Sequence, residues 1–399
     1  MKIAAILEET LRSGGGYQQS INAALQAQRI CEGHYDLCVY TNEKTNIKTL
    51  NDLGLRAKYF APSFLDKLLP YAMSSKTFTF CQSRLRLIGP LEKRFIEDGI
   101  DLVYFLGPSW KASTLQRLNY ISTVWDLCHR DFPEFPEVRN FGEFERRESI
   151  FDATLLRAYM VIADSEELKE RLARYYGVNS ERILVMPFQG MIECKSNART
   201  DQRRDILSKY GLNSKYLFYP ANFWSHKGHV RIIQALSLFR DRKGYVPESV
   251  FSGGDSGNLE LVKSCAKREC LDASIRFLGF IPDEHIPILY SNSLALIMPT
   301  YFGPTNLPPL EAMSLGVPVI YPMHLKNQCG EAALYFDADD PVTLCEAIEK
   351  VSDPTVRAEF SQKGLAHHKM IAQRLSYAET EFRSRLDVFQ RRLSCWSRS

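Results

Sequence analysis

Three loops of this 399-residue chain carry residue types suited to holding a phosphate. Lys227 lies in Tyr219-Pro220-Ala221-Asn222-Phe223-Trp224-Ser225-His226-Lys227-Gly228-His229, just after an apolar strand-like run and before a helix-like one. An ammonium at such a junction can sit over a phosphate, although a plain surface lysine fits the local pattern as well. Near the start, Ser13-Gly14-Gly15-Gly16 separates a strand-like run from a helix-like one. Its glycines let backbone amides approach a ligand closely, and the following helix N-terminus favours negative charge. The run is neither GxGxxG nor a P-loop, so a simple tight turn is the competing reading. The third loop is Met298-Pro299-Thr300-Tyr301-Phe302-Gly303-Pro304-Thr305-Asn306-Leu307-Pro308-Pro309-Leu310-Glu311. Its prolines and glycine predict a rigid, amide-rich platform at a strand end, with Glu311 in the first turn of the next helix and pointing to something polar.

Two other polar runs read as turns. Gly253-Gly254-Asp255-Ser256-Gly257 is superficially similar to the nucleophile segment of trypsin-like proteases. That chemistry belongs to an all-β fold, whereas this run follows a strand and precedes a helix. Asp337-Ala338-Asp339-Asp340 offers carboxylates for a metal, but its place before Pro341 fits a solvated turn with a helix cap.

Composition narrows the field. Hydrophobic residues make up 45% and charged ones 24% of the chain, which suits a globular protein. Fifty Lys and Arg against 47 Asp and Glu leave a net charge of +3, too balanced for a protein that wraps nucleic acid. The ten cysteines are scattered without a CxxC, as expected of thiols in a reducing compartment. The first residues do not read as a signal peptide and no apolar run is long enough to span a bilayer, so a soluble, cytoplasmic chain is expected.

The elements that must position these loops alternate. Strand-like runs at Lys2–Leu7, Leu37–Tyr40, Leu102–Phe105, Ile121–Val124, Met160–Ala163 and Ile183–Met186 are separated by helix-like stretches. Asp164-Ser165 reads as a cap on the helix Glu166–Tyr176. An irregular polar stretch follows, and a second alternation starts at Tyr216–Tyr219. Alternation of this kind predicts an α/β chain with two doubly wound parallel-sheet domains and a ligand in the cleft between them. The expected division is a domain over 1–190, a linker over 191–205, a second domain over 206–375 and a terminal helix over 376–399 packing back on the first.

The combination resembles the GT-B glycosyltransferases of family 4, the group 1 glycosyltransferases, over nearly the whole chain. The resemblance rests on the Gly-rich first loop, the Asp164-Ser165-Glu166-Glu167 turn, Lys227-Gly228, the run Ile275–Ser293, the Pro308–Ile320 block and Gly330-Glu331-Ala332-Ala333. It implies two Rossmann-like domains and a retaining transferase that needs no metal or other cofactor. The donor would be a nucleotide-diphosphate sugar, and the acceptor a growing glycan or a lipid-linked one in surface polysaccharide assembly, such as O-antigen or capsule. The first domain would bind the acceptor and the second the donor.

Carried over residue by residue, Glu311 matches the second Glu of the family's E-x7-E motif, which grips the donor ribose, and Lys227 the lysine that neutralises the diphosphate. Pro304, Thr305, Asn306 and Leu307 match the loop whose amides hold diphosphate and sugar. Gly14, Gly15 and Gly16 match the loop that closes over the phosphates, and Phe280 and Ile281 fall near the nucleotide base. Gly303 stands where the first Glu of the motif is usual, and Asn222 where an Arg is usual. The Thr305 and Asn306 side chains are therefore expected to offset the missing cation in part. The family's His-Asp pair reads Trp125-Asp126 here, with His129 three residues later, so Asp126 and His129 are the candidates for positioning the acceptor hydroxyl. The departures also leave open a non-catalytic nucleotide-sugar-binding or scaffolding protein, or a nucleotide-sugar epimerase. The Arg-rich tail Arg383–Ser399, with Phe389, Leu393 and Trp396 interleaved, suits an anionic membrane surface as well as helix packing.

Overall fold

The computed structural model describes residues 1–10, 15–66, 69, 88–188, 200–212 and 215–396. They form two compact units: Met1–Asp126 with Phe144–Phe188 and Gln373–Ser399, and Leu127–Glu143 with Gln189–Ala372.

Among the described residues the first unit holds β1 (Lys2–Leu7), β2 (Asp36–Thr41), β3 (Ala57–Tyr59), β4 (Leu102–Phe105), β5 (Asn119–Thr123), β6 (Met160–Ala163) and β7 (Ile183–Val185). They form one sheet in the order β3-β2-β1-β4-β5-β6-β7, with every pair parallel. Strands covered on both faces read as continuous apolar runs, which is why β1 and β4 stand out in the sequence. The three-residue β3 is mostly exposed and carries no such run, so periodicity misses it. The helix Gly15–Cys31 buries Tyr17, Ile21, Ala24 and Ala27 along one face. At Glu166–Tyr176 the Ser165 hydroxyl accepts from the Leu168 amide at 3.2 Å, and Gly177 ends the helix at φ 66°.

The second unit holds β8 (Leu217–Pro220), β9 (Ser249–Ser252), β10 (Ile275–Phe277), β11 (Ala295–Ile297), β12 (Val319–Pro322) and β13 (Ala333–Phe336), again counting described residues. The order is β10-β9-β8-β11-β12-β13, all parallel. Asp340 caps the helix Pro341–Ser352 by accepting from the Val342 amide at 2.8 Å, so the Asp337–Asp340 run is a turn with a cap. In each sheet the chain reverses its direction of spread once, between β1 and β4 and between β8 and β11. Such switch points leave a crevice at the carboxyl ends of the strands, where α/β sheets bind ligands.

Several boundaries differ from the sequence reading. The first helix starts at Gly15, so Gly15 and Gly16 form its opening turn and are not loop residues. Ser13 and Gly14 lie outside the described residues, as do 189–199, which include 191–199 of the expected linker; Thr200–Lys209 is helical. The segment Leu127–Glu143 belongs to the second unit, although it precedes β6 and β7 of the first. The terminal helix runs over Pro354–Leu393, longer than the expected 376–399. Its Phe382, Leu386, Phe389 and Leu393 are buried in the core of the first unit. Phe389 and Leu393 are therefore already packed within the protein, and of the three interleaved tail residues only Trp396 is exposed.

Candidate functional site

Two loops meet at the β8/β11 switch point. The His226 carbonyl oxygen accepts from the Tyr301 amide at 2.8 Å and from the Thr300 hydroxyl at 3.5 Å. The His226 ring lies flat on Phe302, with centroids 4.1 Å apart and planes 7° apart. Gly228 permits this approach: it has φ +66°, and a Cβ there would fall 2.1 Å from the Pro299 carbonyl oxygen. Between His226 and Gly228, the half-buried Lys227 has its carbonyl fixed by the Tyr219 hydroxyl at 2.8 Å.

A third loop, after β9, is drawn in by Asn222. Its Oδ1 accepts from the Gly254 amide at 2.8 Å, and the Phe223 amide donates to the Gly254 carbonyl at 2.9 Å. Asp255 accepts from the amides of Gly257 and Leu259, which hold its carboxyl below the usual range. The Gly253–Gly257 run is thus a strand-to-helix turn.

Past Gly303 the chain enters the helix Leu307–Ser314. Pro308 and Pro309 lack an N–H, so the first-turn donors are Leu307 and Leu310. The Asn306 amide nitrogen Nδ2 donates to the Phe302 carbonyl at 3.1 Å and the Tyr321 hydroxyl at 2.7 Å. Gln328 accepts from the Asn306 backbone amide at 2.9 Å and from Tyr321 at 2.7 Å. Glu311, the fifth residue of the helix and not in its first turn, is buried and accepts from the Tyr290 hydroxyl at 3.2 Å. Burial pushes its carboxyl up to about 7; Tyr290 pulls partly against this, and the Asp283 carboxylate adds to it. A carboxylate so placed gains from any further hydroxyl that donates to it.

Residues 202–327, which hold these loops, match the model of the family described as glycosyl transferases group 1. The chain is 25% identical over 298 residues to the O-antigen chain mannosyltransferase B of Escherichia coli, covering 72% of this chain and 75% of that one. It is also 25% identical over 198 residues to the O-antigen chain mannosyltransferase RfbU of Salmonella typhimurium, covering 49% of this chain and 51% of the relative. The structure superposes on that of Anabaena HepE in complex with UDP and glucose with a TM-score of 0.71 at 15% identity, over 97% of this chain and 100% of the other. These matches make the chain a glycosyltransferase similar to the group 1 family. Its two parallel-sheet, Rossmann-like domains are of the GT-B class.

Within this glycosyltransferase, the expected donor residues separate into three kinds. Lys227, Asn222, Pro304, Thr305, Leu307 and Glu311 all lie on the loops, or the helix, that follow β8 and β11. Asn306 is there too, but the donors of its side chain face inward, so it braces the loop instead of replacing a cation. Phe280 and Ile281 divide: Phe280 is 83% exposed, whereas Ile281 is packed in the domain core and has no side chain to offer a base. Gly303, at φ +104°, sits against the Asn306 amide, and a Cβ there would fall 2.7 Å from it. A glutamate at this position would need a different loop.

The two expected acceptor residues fall in different units. Asp126 ends the first unit and lies 3.5 Å from Arg147. His129 lies in the second unit and is wholly buried, so its ring has no surface to offer a hydroxyl. Around the β1/β4 switch point the first unit instead gathers Glu8, Glu9, Lys111 and Trp125. Lys111 pairs with Glu8, and burial lowers its pKa to about 8. Glu9 accepts from the Ser20 hydroxyl at 2.7 Å while burial raises its carboxyl.

Sequence reasoning missed Glu137, Phe132, Phe135 and His226. The last stood next to Lys227 in a run already singled out. Glu137 had no local signal, because its partner is 89 positions away.

Proposed function

We propose that the protein transfers a hexosyl unit from a nucleoside-diphosphate sugar to a glycan or lipid-linked acceptor in the assembly of a surface polysaccharide. Relatives that are O-antigen mannosyltransferases make mannose the first sugar to test. The observation that carries the reading is the joining of the Lys227 turn to the Tyr301–Leu307 loop at the switch point of the second unit. Cleavage of the anomeric C–O bond leaves negative charge on the departing diphosphate, which preorganised donors must stabilise. Lys227 supplies an ammonium. The amides of Thr305 and Leu307 make no hydrogen bond among the described residues, and in this reading they face the phosphates. Glu311 accepts from the ribose hydroxyls.

We read the transfer as retaining and independent of a metal, as the resemblance to the group 1 family implies, with Lys227 supplying cationic charge for the leaving diphosphate. NMR of the product anomer and turnover in excess EDTA test these two points. A lipid-linked acceptor would bring the protein to the cytosolic face of a membrane, where the exposed Arg391, Arg392 and Trp396 are the residues to meet it. Among the described residues no helix is long and apolar enough to cross a membrane. The double variant R391E/R392E should co-sediment less with anionic vesicles than the wild type.

The deciding experiment is a thermal-shift screen with UDP-glucose, GDP-mannose and dTDP-rhamnose, followed by K227A. One donor should raise the melting temperature, and K227A should lose about 100-fold or more in turnover, the scale of one oxyanion-type donor. Near-normal turnover in K227A would sink the assignment. Conversion of labelled donor without any acceptor would point to an epimerase, and no binding of any donor to a scaffold.

A further inference from the structure

The segment Leu127–Glu143 contributes no strand to the second unit, yet it touches the Tyr301–Gly303 loop in two ways and the His226 turn in a third. The Cys128 sulfur accepts from the Gly303 amide at 3.0 Å. Phe132 stacks on Phe302 with centroids 6.0 Å apart, and Phe135 packs against Tyr301 at 5.1 Å and edge-on to Phe302 at 5.3 Å. Glu137 Oε1 accepts from the His226 backbone amide at 3.1 Å and lies 3.2 Å from the His226 ring nitrogen Nδ1. One carboxylate oxygen thus holds both the main chain and the ring of the same residue, and the side chains of Glu137 and His226 are only 9% and 11% exposed. Burial of a carboxylate is costly unless it is paired and hydrogen-bonded, so this pair is held in one geometry or not at all. Burial pushes the Glu137 carboxyl up, but the hydrogen bonds from His226 outweigh it and hold it below the usual range.

We propose that Glu137 and His226 are positioning residues of the donor site, setting the turn that carries Lys227 against the loop that carries Thr305 and Leu307. The inference rests on the donor-site reading above. Neither residue needs to touch the donor. His226 precedes Lys227 directly, accepts from Thr300 and Tyr301 through its carbonyl, and presents its ring to Phe302. Glu137 fixes the ring orientation on which that stacking depends. Its effect on the donor must therefore pass through the placement of Lys227 and the loop amides.

The test measures the calorimetric Kd of the full chain for whichever of UDP-glucose, GDP-mannose and dTDP-rhamnose stabilises the wild type. E137A should weaken binding about 10-fold, the equivalent of about 1.4 kcal/mol. E137Q, whose amide oxygen still accepts from the His226 backbone, should recover to within about 3-fold of wild type. In the K227A background E137A should add less than about 2-fold, because a device that acts through Lys227 has nothing left to place. An equal penalty in both backgrounds, or an unchanged Kd in a folded E137A, overturns the proposal. Should E137A melt too low to be measured, H226F takes its place: it keeps a ring on Phe302, loses the ring's bond to Glu137 while the backbone bond stays, and should weaken binding several-fold. An unchanged Kd in H226F overturns the proposal equally. A wild type that binds none of the three sugars overturns the donor-site reading and this one with it, whereas binding with unaltered variants overturns this one alone.

Discussion

At the carboxyl ends of β1 and β4 a tight glycine of the first unit abuts side chains, whereas at β8 and β11 the tight glycines of the second unit abut backbone. In the first unit a Cβ on Gly107 would meet the Trp125 ring at 2.6 Å and the Glu9 carboxylate at 2.7 Å, both outer ends of side chains. Glu8, Lys111, Asp126 and Arg147 are likewise engaged side chain to side chain. In the second unit a Cβ on Gly228 would meet the Pro299 carbonyl at 2.1 Å, and one on Gly253 the Ala221 carbonyl at 2.4 Å. Side chains can turn aside and re-pair, but backbone just past a strand end has far less freedom to move. The same topology thus gives one switch point able to adapt its lining and one held rigid, and a rigid site is what stabilising charge on a leaving group requires.

The largest test of this contrast compares two glycine variants. G228A combines a left-handed alanine with a backbone clash and should cost about 3 kcal/mol or more. G107A, where Trp125 and Glu9 can move, should cost less than half as much. Urea midpoints of the two variants decide the matter, and equal losses would erase the distinction.

Next in size is Glu311, whose position trades stability for binding. Its folded pKa of about 7 lies above the ordinary 4.5. Stability is therefore greatest below pH 4.5 and is lost as the pH rises through 7, because the charged form is the disfavoured one in the folded state. E311Q removes that loss and should be more stable than wild type at pH 8, by up to about 3 kcal/mol. It should at the same time bind the donor more weakly, since a ribose hydroxyl donates more strongly to a carboxylate than to an amide. A variant that is both no more stable and no weaker in binding contradicts the reading of Glu311 as a buried acceptor.

The rigid half of the molecule was also the half most legible in the sequence. Lys227, Thr305, Leu307 and Glu311 lie close to apolar strand-like runs, so strand ends placed them on loops, and the family resemblance joined those loops in one site. Proline and glycine marked the same loops for rigidity. What escaped was whatever depended on distant partners or on the inward face of a polar side chain. Asn306 looks like a ligand residue in the sequence because amides suit phosphates, and only its bonds to Phe302 and Tyr321 show that the loop itself consumes it. His129 stood out because it follows the place of the family's His-Asp pair, and it is buried. The placement of Leu127–Glu143 in the second unit could not be read at all, because it rests on contacts of Phe132, Phe135 and Glu137 with residues far along the chain. In the first unit the early helix start changed the meaning of Gly15 and Gly16: they open a helix, and Gly16 lies close to Trp125, with a Cβ there falling 3.3 Å from the ring.

The smallest effect discriminates most finely, because it separates bracing from binding at one residue. Asn222 stands where the resemblance leads one to expect a cation, and its Oδ1 is committed to the Gly254 amide. N222A leaves that N–H without its acceptor and should cost about 1 kcal/mol. N222D keeps an acceptor of the same shape in the same place, so its melting temperature should stay near that of the wild type. It also adds a negative charge beside the turn that carries Lys227. If the turn faces the donor phosphates, N222D should weaken donor binding several-fold without a loss of stability, and the loss should shrink as salt is raised. If N222D binds like the wild type, the β9 loop and Asn222 only brace the switch point from behind, and Lys227 with the Thr305 and Leu307 amides carries the phosphate charge without them.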